Sequence, residues 1–356
     1  MSAIHALRPG EALPAGPVGS SGGLWHVYRV ERRKLSTQMP TRLLALLCVL
    51  APFAFAGVLK LQSGSPADAL FGVWVHQSAS ALSLVMLGFC GSWGFPVIAG
   101  VLAGDIFSSE DRYGTWKMVL TRSSTRRSLF VGKVLAAMTF SIGLLLLLMV
   151  SSLAAGLLLV GSAKLVNLGG TELSAGHALV LVVAGWLLNI LPMLAFTSLA
   201  VLLSVASRNG IVGVIGPALF ALIMQLLLLV GAGVWVHLLL ISSAFDGWYT
   251  LFVTHHYYGQ LAIACIVSLI WIIACLSGAW LVLRRRDFAG TPVSRRPGWV
   301  VPVRVAVGSA VAVAFLAVAS NWGPSGDTVA RLKASIAPNF NNLTLLQQRE
   351  LGRYVP

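Results

Sequence analysis

Residues 104–133 read GDIFSSEDRYGTWKMVLTRSSTRRSLFVGK, a charged segment set between two long apolar runs, Ser78 to Ala103 and Val134 to Val160. About 20 consecutive apolar residues suffice to cross a bilayer, and each run meets that length. The charged segment is therefore a loop at a membrane surface, and the chain on either side of it is transmembrane helix.

Composition extends this reading to the whole chain. Its 356 residues are 57% hydrophobic and 10% charged, with a mean hydropathy of +0.85. Those values belong to an all-α polytopic membrane protein rather than to a soluble core. A formal net charge of +14 would suit nucleic acid if the basic residues gathered on one soluble surface. They stand instead at the ends of the apolar runs, where the positive-inside rule and anionic headgroups account for them. Membrane lipids are thus expected partners and nucleic acid is not. Cys48, Cys90, Cys265 and Cys275 all fall within apolar runs without metal-ligand spacing, and read as packing residues.

Working outward from the loop, residues 1–23 are rich in Pro, Gly and Ser and lack an apolar core, so a loosely ordered cytosolic tail without a cleavable signal is expected. Residues 24–36, LWHVYRVERRKLS, place Leu24, Val27, Tyr28 and Leu35 on one helical face and Arg29, Arg32, Arg33 and Lys34 elsewhere. This is the pattern of a helix lying flat in the headgroup layer. Spans are expected at about 41–61, 78–103, 134–160, 177–205, 211–231 and 261–283, with short membrane-dipping helices over 234–260. Residues 37–287 then form a six-span unit, in which Pro96 is placed to kink the second span and Gly100 and Gly104 to let another helix approach closely. Residues 288–320 read as a basic linker and a seventh span, and 321–356 as an extracytoplasmic tail. Most of the 25 Lys and Arg lie on the N-terminal side of this topology, which sets the N-terminus in the cytosol and the C-terminus outside.

The missing chemistry is informative. Ion-coupled carriers keep an ionisable group within the membrane, whereas all eleven Asp and Glu read as lying outside the span cores. Gly132-Lys133 is followed by Val134 and has Arg127 where a phosphate loop requires its first glycine, so no nucleotide is bound by this chain. Ser277 has Cys275 two residues before it where a rhomboid-like serine site would want glycine, no HExxH occurs, and His255-His256 read as interfacial. No catalytic residue, metal ligand or cofactor site is expected. Asn189 and Gln225 fall within spans and read as interhelical hydrogen-bonding groups or as pathway lining.

The acidic pair Glu110-Asp111, then Arg112, Gly114-Thr115, a Leu-Thr-Arg, Arg126 and Gly132-Lys133, following a second span and preceded by an interfacial helix, resembles the corresponding loop of ABC type-2 exporter permeases over about Leu24 to Asp287. In that family the loop forms a coupling helix seated in a groove of a separate ATPase subunit. The resemblance implies a permease working with a second permease subunit, as homodimer or heterodimer, and with ATP-binding-cassette ATPase subunits that hold the ATP and Mg. It assigns the coupling role to Glu110, Asp111, Arg112, Gly114, Thr115 and Trp116, with Arg122, Arg126 and Lys133 as the basic positions leading into the third span. Ile106, Phe107 and Trp116 would serve as apolar anchors. Ser123 stands where the family often has proline after Leu-Thr-Arg, and it or Ser124 can still cap the next helix. The alternative reading is a non-transporting membrane scaffold that holds a soluble partner by the same loop.

Overall fold

The computed structural model describes residues 23–61, 71–116, 125–161, 163–167, 172–229, 239–253 and 258–286. Its helices are α1 (Leu24–Thr37), α2 (Met39–Leu61), α3 (Ala79–Phe89), α4 (Phe95–Ala103), α5 (Ser108–Tyr113), α6 (Arg126–Leu159), α7 (Ala175–Leu188), α8 (Ile190–Ser207), α9 (Gly210–Leu229), α10 (Ile241–Ala244) and α11 (Tyr258–Arg284). Among the described residues six helical segments are long and apolar enough to span a membrane: Met39–Leu61, Ala79–Tyr113, Arg126–Leu159, Ala175–Ser207, Gly210–Leu227 and Tyr258–Arg284. The chain is a multi-pass, all-α membrane protein. The expected Arg122, linker, seventh span and C-terminal tail lie outside the described residues.

Local sequence explains where the spans start and where they break. Thr125 caps α6, its hydroxyl accepting from the Ser128 backbone N–H at 3.1 Å, and Ser174 caps α7 in the same way through His177. Span four breaks at Asn189 between α7 and α8. Pro192, three residues on, has no N–H to offer the Leu188 carbonyl, which relieves the chain of one helical bond there. Just before Pro96, span two makes one wide turn at Cys90–Gly94, in which Phe95 N–H donates to the Cys90 carbonyl five residues back.

Span order in the bundle follows from hydrophobicity around each helix. α3 is buried from Ala79 through Leu87, and α8 is buried continuously from Ala195 through Val201. Helices apolar all round belong in the interior. α2, α9 and α11 instead turn Leu43, Leu47, Ile215, Leu219, Ile266 and Ile273 outward, as a lipid-facing shell does. With little hydrophobic drive between helices in lipid, close approach and hydrogen bonds hold the interior. Gly100 of α4 and Gly104 just past its end meet Val214 and Gly213 of α9 with no room for a Cβ, so the expected close contact is present. Ser83 and Ser152 hydroxyls lie 2.8 Å apart, Trp186 Nε1 donates to Ser83 at 3.0 Å, and Ser141 and Thr197 are 2.9 Å apart.

Between α10 and α11 a tight 3₁₀ helix, Phe245–Phe252, dips into the bundle, with Phe245 against Gly91 and Trp248 against Gly185. Part of the membrane-dipping segment expected over 234–260 is this element. It carries Asp246, which is half-buried. At the same end a two-stranded ladder pairs Leu165 with Leu173 and Val166 with Glu172.

Candidate functional site

Of the described Lys and Arg, all but Lys60 and Lys164 gather at one end of the bundle, formed by α1, α5 and the adjoining ends of α2, α6, α8, α9 and α11. Here span two continues past Ala103 into α5. Its first N–H groups have no partner within the short helix, and Ser204 of α8 supplies one: its Oγ accepts from Phe107 N and Ser108 N, each at 3.2 Å. Gly114 closes α5 at φ +64, where a side chain would be strained, and Thr115 N–H returns to the Glu110 carbonyl at 3.2 Å.

The carboxylates of α5 face the protein. Glu110 is 7% exposed and receives Lys34 Nζ of α1 at 2.9 Å and Lys133 Nζ of α6 at 3.2 Å, with the Thr115 hydroxyl on its second oxygen. Lys133, fully buried, also donates to Glu31 Oε1 of α1 at 2.7 Å and to the Ile106 carbonyl at 3.1 Å. Its ammonium thus has three oxygen acceptors, which satisfies its donors where water is excluded. Asp111 accepts from Trp116 Nε1 and from Arg286 Nη1, both at 2.9 Å, and ties the loop to the end of α11. Arg112 pairs with Asp105 at 2.5 Å. Arg126 donates to the Arg286 carbonyl at 3.2 Å, near the C-terminus of α11 where a cation suits the helix dipole. Burial lowers the pKa of Lys34, but the Glu110 hydrogen bond and the charges of Glu31, Glu110 and Asp105 together raise it above its ordinary value. Burial and neighbouring Arg208 pull the Arg286 pKa down, against Asp111, which raises it.

Ile106, Phe107 and Trp116 are buried as well, the Phe107 ring stacked on Trp116 at 6.5 Å and tilted against Phe130 at 5.7 Å. The segment read as a set of contacts for another protein thus splits in two. Ile106, Phe107, Glu110, Trp116 and Lys133 fasten the loop to its own bundle, while Arg112, Tyr113 and Gly114 are exposed, and Asp111 and Thr115 are half-buried.

Sequence reasoning missed Glu31, Lys34, Asp105, Ser204 and Arg286. For Glu31 a signal existed: it stands between Val27 and Leu35 at four-residue spacing, an acid on the face that α1 buries. That face runs through Val27, Glu31 and Leu35, with Tyr28 half-buried and Leu24 exposed, because Lys133 gives Glu31 a buried partner and none of the described residues covers Leu24. Among the described residues Asn189 makes no bond to a neighbouring helix. Its Nδ2 donates to the Gly185 carbonyl of its own span at 2.8 Å, and Gln225 is half-buried on α9.

A family model described as "Protein of unknown function (DUF2705)" matches residues 47–289, and the chain belongs to that family. No curated protein matches it.

Proposed function

We propose that this member of the DUF2705 family is the permease subunit of an ATP-driven exporter in a bacterial cell membrane, pairing with a second permease subunit and with ATP-binding-cassette ATPase subunits. Its basic end faces the cytosol, as the positive-inside rule requires, and the C-terminus lies outside. The cargo would be of the kind such exporters move, multidrug efflux included. The observation that supports this reading best is the way α5 is held: fastened inward at Glu110, Asp111 and Ser204, it leaves Arg112, Tyr113 and Gly114 at the exposed end of the bundle.

Such a helix transmits force well. A partner pressing on Tyr113 moves α5 as a unit, and its bonds pass the displacement to α1, α6, α8 and α11 together. Closure of the ATPase pair on ATP would in this way rock several spans at once and switch the access of a pathway between two permeases. The ATP and Mg sit in the partner, and this chain supplies positioning alone.

The test is co-purification from the native membrane in mild detergent. An ATP-binding-cassette ATPase is expected in stoichiometric amount, and Tyr113→Ala, which removes a 72% exposed ring, should weaken its retention roughly thirtyfold, the loss of a hot-spot contact of about 2 kcal/mol. A wild-type preparation without such an ATPase, or retention unchanged in Tyr113→Ala, would overturn the proposal.

A further inference from the structure

A cleft of about 280 Å³ opens on the flank of the basic end, lined by Arg32 of α1 and by Thr139, Phe140, Gly143 and Leu144 of α6. Its lining is graded in polarity. Arg32 and Thr139 lie at one end, with the Tyr28 hydroxyl 3.4 Å from Thr139 Oγ1. Phe140, Gly143 and Leu144 continue along α6 away from Lys133, and so toward the bilayer interior. Gly143 has no heavy atom within 4 Å of where a Cβ would stand, which leaves a trough in the helix surface.

Like Arg29, Arg33 and Arg127, Arg32 has no acidic partner among the described residues, and of these four it is the one that lines the cleft. Lys34, Arg112, Lys133 and Arg286 each meet a carboxylate, whereas Arg32 forms no ion pair or hydrogen bond among the described residues. It is exposed and forms part of the cleft lining. Trp25 and Tyr28 stack at 5.0 Å on the same helix, with Trp25 64% exposed, as amphipathic rings do at headgroup depth.

We infer that this cleft binds an anionic phospholipid of the leaflet at the basic end. The lipid phosphate meets the Arg32 guanidinium, with the Tyr28 and Thr139 hydroxyls beside it, and one acyl chain lies in the trough over Gly143. Charge complementarity selects the headgroup, because a guanidinium matches a phosphate in a two-point contact that a zwitterionic surface offers less freely. The graded lining selects a lipid over a free anion, since an apolar trough adds nothing for inorganic phosphate. Bound there, the lipid would sit along the seam of α1 and α6 and brace the interfacial helix beside its ion pair with Lys133. The inference needs only that the basic end lies at a membrane surface, and it stands or falls separately from the exporter proposal.

The experiment uses the full chain in nanodiscs of phosphatidylcholine with increasing phosphatidylglycerol. Lipid retention is read by native mass spectrometry and the unfolding midpoint by tryptophan fluorescence. Phosphatidylglycerol should be retained and should raise the midpoint. Arg32→Gln should weaken retention about fivefold, the factor that roughly 1 kcal/mol for one basic side chain at an anionic surface converts to. Gly143→Leu, which fills the trough and keeps every charge, should weaken it as well. Arg127→Gln removes an exposed arginine from the same end and should leave retention unchanged, and glycerol 3-phosphate, the headgroup without its chains, should not shift the midpoint. An equal loss in Arg127→Gln would reduce the effect to general surface charge. An effect of glycerol 3-phosphate equal to that of the lipid would make the site one for a free anion. A changed oligomeric mass in Gly143→Leu with lipid retention intact would make the cleft a contact between copies of the chain, and each of these results would overturn the inference.

Discussion

At the basic end Lys133, Glu31, Glu110, Asp111 and Arg286 meet as ion pairs that are largely shielded from water, joining α1, α5, α6 and α11. At the opposite end the described residues hold one ion pair, Lys164 with Glu172, with both side chains about two-thirds exposed, and the packing there is aromatic: Phe71 against Trp248 and Phe252 at 6.4 and 5.3 Å. Buried charges demand one geometry, because a small displacement leaves an ion without a partner in a medium that does not solvate it. Aromatic rings tolerate sliding with a gradual loss of contact. One end of the molecule is thus built to move as a block and the other to accommodate.

Removing Lys133 strikes this contrast hardest. Lys133→Met leaves Glu31 buried without its cation and should lower stability by about 3–5 kcal/mol, read as the midpoint of unfolding in mixed micelles. Adding Glu31→Leu removes the stranded charge and should recover more than half of the loss. A double variant no better than the single one would mean that packing, not charge, governs this end. A middle-sized effect is expected in the interior: Ser83→Ala leaves Trp186 Nε1 without its acceptor and should cost about 0.6–2 kcal/mol in the same assay. The smallest is expected from Lys164→Ala at the far end, within about 0.5 kcal/mol, because that pair is open to water. A loss there comparable to that of Lys133→Met would erase the distinction between the ends.

The six described spans were legible in the sequence because their signal is local. Twenty apolar residues announce a membrane helix wherever their neighbours lie, and Gly100 and Gly104 announce a close approach by their small size. The orientation of α5 was not legible. Glu110 and Asp111 stand among hydrophilic neighbours and read as surface, yet their partners Lys34 and Arg286 are 76 and 175 residues away along the chain. Charge identity is written in the sequence, and charge pairing across that distance is written only in the fold. Tyr113 shows the converse, an aromatic residue left exposed beside buried acids, so that within three positions hydrophobicity and burial exchange their usual places.

The wide turn at Cys90–Gly94 has a consequence for chain length. It accommodates about one residue more per revolution than the α-helix on either side. Deleting a single residue from it would restore an ordinary α-helical turn while α3 and α4 kept the azimuths they now present. The same deletion elsewhere in span two would rotate everything beyond it by about 100° and carry Glu110 away from Lys133. The middle of this span holds a spare residue, a slack point at which the thread can be shortened without turning the screw.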